Sequence, residues 1–231
     1  MATILNLETS TSVCSVAVAE DNHVIYREED TEGHSHAVKC GVFTQNALSF
    51  AESHAIPLDA VAVSEGPGSY TGLRIGVSMA KGVAYGRNVP LLNIPTLELM
   101  CVPVLLYHEM EVPEDALLVP MIDARRMEVY SAVYDRSLKT VRQIQPDVVT
   151  TDTYKEYLDL GPVLFFGNGS DKCQEVITHP NAVFIPEIYP LAANMAPLAE
   201  KRLRGGQIAD TAYFEPFYLK EFQATKSKKL I

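Results

Sequence analysis

What most constrains this chain is the order of its elements, because the same order is written twice. Residues 3–7 form a short apolar run, residues 14–19 alternate around Val16 and Val18, and residues 24–28 follow a Glu20-Asp21-Asn22 turn. The chain therefore opens as a three-strand meander. A helix is predicted over 35–51, where Val38, Val42, Ala47 and Phe50 recur near the 3.6 spacing that faces a core. A strand at 60–63, a helix to about Tyr85 with Leu73, Val77, Ala80 and Ala84 on one face, and a strand at 90–94 come next. A helix over 97–107, interrupted near Pro103, closes this half.

From residue 116 the order repeats. Strands are predicted at 116–123, 128–134 and 139–144, then a helix from Tyr154 with Thr153 and Glu156 in capping-box spacing. A strand at 163–166, a short helix at 170–177, a strand at 183–185 and a helix over 192–204 ended by Gly205-Gly206 complete it. Each half reads βββαβαβα, an α/β architecture. Prolines and acidic residues break the pattern at 101–113, so the halves are taken as 1–100 and 101–231. The second half ends in a tail carrying Lys226, Lys228 and Lys229, expected to be flexible.

With 19 Lys and Arg against 29 Asp and Glu, the net charge is −10. A chain this acidic is a poor stand-alone ligand for polyphosphate, since nucleic-acid affinity comes largely from cations that displace counterions. The longest apolar runs fall far short of the ~20 residues of a membrane span. No basic segment precedes the first strand, so a cytoplasmic protein is expected. The four cysteines, Cys14, Cys40, Cys101 and Cys173, form no C-x-x-C pair, and reduced thiols are the simplest account.

The most informative segment, GPGSYTGLRIG over 66–76, follows a strand and opens a helix, where backbone amides and the helix dipole favour an anion. It lacks the lysine of a P-loop and the third glycine of a dinucleotide fingerprint. Gly72, Gly76 and Ala80 form a small-residue stripe that admits another element closely. Arg74 lies at the unfavourable end of the dipole, which points to an interface or anion site.

This loop, together with Met121-Ile122-Asp123-Ala124-Arg125 and Pro216-Phe217-Tyr218-Leu219-Lys220, resembles the bacterial TsaB family over nearly the whole chain. The resemblance implies an actin-like (ASKHA) fold of two RNase-H-like halves. It implies a cytoplasmic, noncatalytic subunit of the machinery that installs threonylcarbamoyladenosine beside the tRNA anticodon. The partners it implies are the catalytic paralogue TsaD, met through the helices of the N-terminal half, and the ATPase TsaE, with tRNA contacted only indirectly. His34, Val38, Val42, Gly72, Arg74, Gly76 and Ala80 are the expected partner surface, a symmetric patch also open to a second copy.

The catalytic paralogue holds its metal through an H-x-x-x-H helix, whose two histidines share one face. Thr96 and Met100 stand at those positions here, and none of the six histidines has an i, i+4 partner, so no metal is expected. An ATP-binding relative needs glycine in its first phosphate loop. This chain has Glu8-Thr9-Ser10-Thr11-Ser12, with Glu8 where the family usually has Asp. Glu8, Thr9, Gly66, Gly68, Ser69, Gly167 and Gly169 outline an anion or nucleotide groove, although turn formation explains the same residues. Cofactors are thus expected only as ATP brought by partners. Asp123, Arg125 and Glu128 alternate at a strand edge, as an acid–base pair or a salt-bridged end. The rival readings are a metal-dependent hydrolase of the glycoprotease type and an ATP-dependent kinase of the same fold.

Overall fold

A computed structural model describes residues 2–31, 33, 36–107 and 112–220. His34 and the basic tail lie outside the described residues. Strands β1 (Thr3–Glu8), β2 (Cys14–Glu20), β3 (His23–Asp30), β4 (Ala60–Gly66) and β5 (Leu91–Pro95) form a sheet in the order β3-β2-β1-β4-β5. The meander β1-β2-β3 is antiparallel, whereas β1, β4 and β5 run parallel. Strands β6 (Leu117–Asp123), β7 (Glu128–Tyr134), β8 (Thr140–Val148), β9 (Val163–Phe166) and β10 (Ala182–Ile185) form a second sheet in the order β10-β9-β6-β7-β8. Read from its own first strand, that is the same topology. The duplicated RNase-H-like, actin-like architecture is present.

Parallel strands covered on both faces are buried along their whole length. All six residues of β1 are buried accordingly. One face of the first sheet, with Leu5, Leu7, Val61 and Val63, packs against α1 (His36–Ser53) and α2 (Tyr70–Arg87). The opposite face, with Ile4, Ala60, Ala62, Leu92 and Ile94, receives Leu99 and Val102 of α3 (Thr96–Tyr107). It also receives Leu198 and Ala199 from the C-terminal half. The other side of α3, with Leu97, Met100, Cys101 and Val104, enters the core of the second sheet beside Leu118, Ile122, Leu164 and Phe166. A helix buried between two sheets is apolar all round. This is why α3 lacks an amphipathic stripe, and why the residue 100/101 division falls inside a shared helix. It runs unbroken through Pro103.

Several local expectations change. On α1 the buried stripe is Cys40, Thr44, Ala47 and Ala51, and Val38 and Val42 are 69% and 47% exposed. The smaller side chains let the helix sit close on β2, which turns both valines outward. Thr153 forms no capping box: its hydroxyl accepts from the Thr150 amide at 2.8 Å. Helix α4 is only Lys155–Leu158 and has no side-chain cap. The expected helix at 170–177 is one 3-10 turn, Asp171–Cys173. The last helix opens as a 3-10 turn, Ala192–Met195, and continues as α5 (Ala196–Arg204). Among the described residues, no helix is long and apolar enough to cross a membrane.

Candidate functional site

The β1–β2 loop and the β4–α2 loop meet at the C-terminal ends of the parallel strands, where open α/β sheets place their ligands. Ser69 caps α2 by accepting from the Gly72 amide at 3.2 Å, and its own amide donates to the Ser10 carbonyl at 2.6 Å. The Thr9 hydroxyl donates to the Gly72 carbonyl at 2.7 Å. A Cβ on Gly68 would stand 2.2 Å from the Ser10 carbonyl oxygen, and one on Gly72 2.1 Å from that of Thr9. At Gly76 it would stand 2.2 Å from the Thr9 hydroxyl. The glycines are therefore needed for contact between these two loops. Gly72, Gly76 and Ala80 are buried against their own chain and are not a free face for a partner. That corrects the partner surface expected from the small-residue spacing, which gives periodicity but not the direction of the stripe.

Glu8 is fully buried: Oε1 accepts from the Ser10 amide at 2.5 Å and Oε2 accepts from the Ser64 hydroxyl. Loss of hydration outweighs these bonds and pushes the carboxyl from the ordinary 4.5 up to about 8. Glu8 is thus protonated at neutral pH. Between pH 5 and 8 the folded chain retains a proton that the unfolded chain has lost, so stability declines as pH rises, with a limiting slope of about 1.4 kcal/mol per pH unit. Glu8→Gln is expected to flatten this decline by about 2 kcal/mol between pH 6 and 8. Urea melts of both proteins across that range check it.

Between the two halves lies a cleft of about 900 Å³. Ser10, Thr11, Gly68 and Ser69 line one wall, and Asp123, Arg125 and Asn168 line the other. Of the expected groove residues, Gly68 and Ser69 reach it. Glu8, Thr9, Gly66, Gly167 and Gly169 support the walls from beneath. Gly66 (φ +117°) and Gly167 (φ +99°) adopt backbone conformations that favour glycine. A Cβ on Gly169 would press on the backbone of Ile122 at 2.9 Å. Asp123 and Glu128 do not pair as acid and base, because Lys172 takes the first and Lys220 the second.

A strap that the sequence did not reveal crosses the cleft. The Phe217 amide donates to the Glu65 carbonyl at 2.7 Å, and Arg74 Nε donates to the Tyr218 hydroxyl at 3.2 Å. The Arg74 guanidinium also lies 4.3 Å from the Tyr70 ring centroid, and Tyr70 packs on Tyr218. These rings account for a cation at the unfavourable end of α2. The adjacent aromatics Phe217 and Tyr218 in a polar tail were the available signal.

Thr96 and Met100 are both fully buried, and Gly167 leaves room for the Met100 methyl, which a Cβ there would meet at 2.2 Å. Among the described residues no three potential ligands gather around a metal-sized point. The outer faces of α1 and α2 instead form an apolar groove of about 540 Å³, lined by Leu48, Ile75, Met79 and Val83. Ser78, Gly82 and Gly86 recur along its α2 side at four-residue intervals. A Cβ at Gly82 or Gly86 would meet nothing within 4 Å.

The family model described as TsaD, tRNA N6-adenosine threonylcarbamoyltransferase, matches residues 30–228. The chain is 27% identical over 233 residues to the tRNA threonylcarbamoyladenosine biosynthesis protein TsaB of Escherichia coli, covering 96% of each. It is 29% identical over 178 residues to the protein of the same name from Bacillus subtilis, covering 76% of this chain and 75% of that one. A crystal structure of a Pseudomonas aeruginosa protein with similarity to peptidase YEAZ superimposes with a TM-score of 0.80 at 22% identity, covering 95% of this chain and all of that one. The last likeness concerns the fold. The chain belongs to the tRNA N6-adenosine threonylcarbamoyltransferase family and, within it, to the bacterial TsaB group.

Proposed function

We propose that the chain is a noncatalytic subunit in the formation of threonylcarbamoyladenosine beside the tRNA anticodon. One observation carries this reading: the two positions where the catalytic paralogue needs metal-binding histidines are Thr96 and Met100, both sealed into the core. A buried thioether packed on Gly167 is part of the hydrophobic structure, and neither side chain supplies the imidazole pair a catalytic metal needs. The first loop agrees, since Glu8 turns its carboxyl inward to Ser64 and away from the cleft.

What such a subunit contributes is association. The apolar groove between α1 and α2, with Val38 and Val42 exposed on α1, supports docking of a TsaD-like paralogue. Open Gly82 and Gly86 allow a facing helix to approach the α2 backbone. A second copy competes for the same surface. A TsaE-like ATPase joins the pair in the cytoplasm, ATP enters through the partners, and the acidic chain meets tRNA only indirectly. The two halves act as one body joined by α3.

The test is affinity purification of the tagged chain from its native cytosol. A paralogue carrying the H-x-x-x-H helix, identified by mass spectrometry at near-equal stoichiometry, is expected. Recovery of the chain without it, together with metal-dependent peptide cleavage, would favour the hydrolase reading.

A further inference from the structure

After α5 ends at Arg204, the chain turns back onto the N-terminal half. Ala209 donates its amide to the Leu91 carbonyl at 2.8 Å and so bridges to the edge strand β5. Lys81 of α2 donates to the Ala212 and Phe214 carbonyls at 3.0 and 3.1 Å, and Phe214 packs against the core that α1 and α2 cover. These contacts fasten residues 209–214 to one half.

Residues 217–220 touch both walls of the cleft. On the N-terminal wall the Phe217 amide bonds the Glu65 carbonyl, and a Cβ on Gly66 would stand 2.6 Å from the Phe217 carbonyl oxygen. Gly66 therefore admits the strap. Tyr218 packs on Tyr70 with ring centroids 4.8 Å apart and receives the Arg74 bond. On the C-terminal wall Lys220 Nζ donates to Glu128 Oε1 at 2.5 Å. Glu128 opens β7, and Lys172 braces it by donating to the Glu128 carbonyl at 2.6 Å while pairing with Asp123 at the end of β6. Tyr218 to Lys220 thus carry the chain from one wall to the other.

Two α/β lobes joined through a shared element swing about it, and a ligand in the cleft holds them closed by touching both. In this chain the lobes share α3, and Phe217, Tyr218, Leu219 and Lys220 line the cleft between them. We propose that residues 217–220 are an intramolecular clamp that holds the two halves closed, as a bound ligand does in a hinged protein. An exposed ion pair and a ring contact are each weak. A tethered segment, however, acts at an effective concentration on the order of millimolar, which keeps such contacts seated. The strap has no helix or strand of its own over 214–220, so its release is a local opening that leaves both cores intact.

Nitroxide labels on Ser12→Cys and Asp171→Cys, exposed positions on opposite halves, read the inter-half distance in the full-length chain by pulsed electron resonance. The four native cysteines are buried and stay unlabelled. With the strap intact, a single narrow distance is expected. Tyr218→Ala with Lys220→Ala removes an anchor on each wall, and a longer distance is expected to appear, its population rising at least about 5-fold. Lys220→Ala alone, at an exposed position that leaves folding untouched, is expected to give an intermediate population. Tyr218→Phe with Lys220→Arg keeps ring and cation and is expected to retain the narrow distance. An unchanged distance in both alanine variants would overturn the proposal. So would a strap-intact chain already spread over both distances, or a Phe and Arg variant as open as the double alanine one.

Discussion

Gly72→Ala is expected to destabilise the chain by more than about 3 kcal/mol, a far larger loss than a helix surface shows for the same change. Alanine is the better helix former, so propensity alone predicts a gain. Packing decides the sign. The new methyl would stand 2.1 Å from the Thr9 carbonyl oxygen, which belongs to the backbone of the β1–β2 loop and cannot rotate away. Relieving the clash moves α2 off that loop and breaks the Thr9 hydroxyl bond to the Gly72 carbonyl. Thermal and urea unfolding read the effect. For a domain of this size the expected drop in melting temperature is about 10 °C.

The opposite behaviour is expected ten residues further along the same helix. Gly82→Arg places its side chain in open space, and replacing an exposed helical glycine stabilises the helix by up to about 1 kcal/mol. The same side chain fills the groove that Leu48, Ile75 and Met79 line. A charged, bulky group in an apolar interface is costly on two counts, steric overlap and desolvation. Affinity for the catalytic paralogue is expected to fall at least about 100-fold while unfolding temperature stays level or rises. Leu160→Arg, at an 84% exposed position on the other half, is expected to leave pairing unchanged. Titration calorimetry with the purified paralogue distinguishes the two variants.

Those two glycines illustrate how far the sequence could be read. The strands were legible because β1, β4, β6 and β9 are apolar runs bounded by turn residues, and their order led to the duplicated fold. Helix faces were harder. Val38 and Val42 satisfy a helical period and are more apolar than Thr44, but the sheet accepts the smaller Cys40, Thr44 and Ala47 stripe. Similarly, Gly72 and Gly76 and the pair Gly82 and Gly86 carry the same spacing. Only the position of Thr9 separates an internal contact from an open surface. The absence of a histidine pair at 96 and 100 was visible directly, since residue type alone settles it. The strap at Phe217–Tyr218 depends on residues more than 100 positions apart, which local patterns cannot register. Glu8 was recognised as an unusual residue in its loop. That its carboxyl would be buried on Ser64 follows from the added methylene only once β4 is placed beside β1.

The most direct test of the central claim is the rate of threonylcarbamoyladenosine formation as the chain is titrated into a fixed amount of the catalytic paralogue, with the ATPase, ATP, tRNA and the remaining substrates present. The rate is expected to climb until chain and paralogue are equimolar, to stay flat beyond that point, and to be zero when the paralogue is left out. A rate that persists without the paralogue and grows in proportion to this chain would contradict the account.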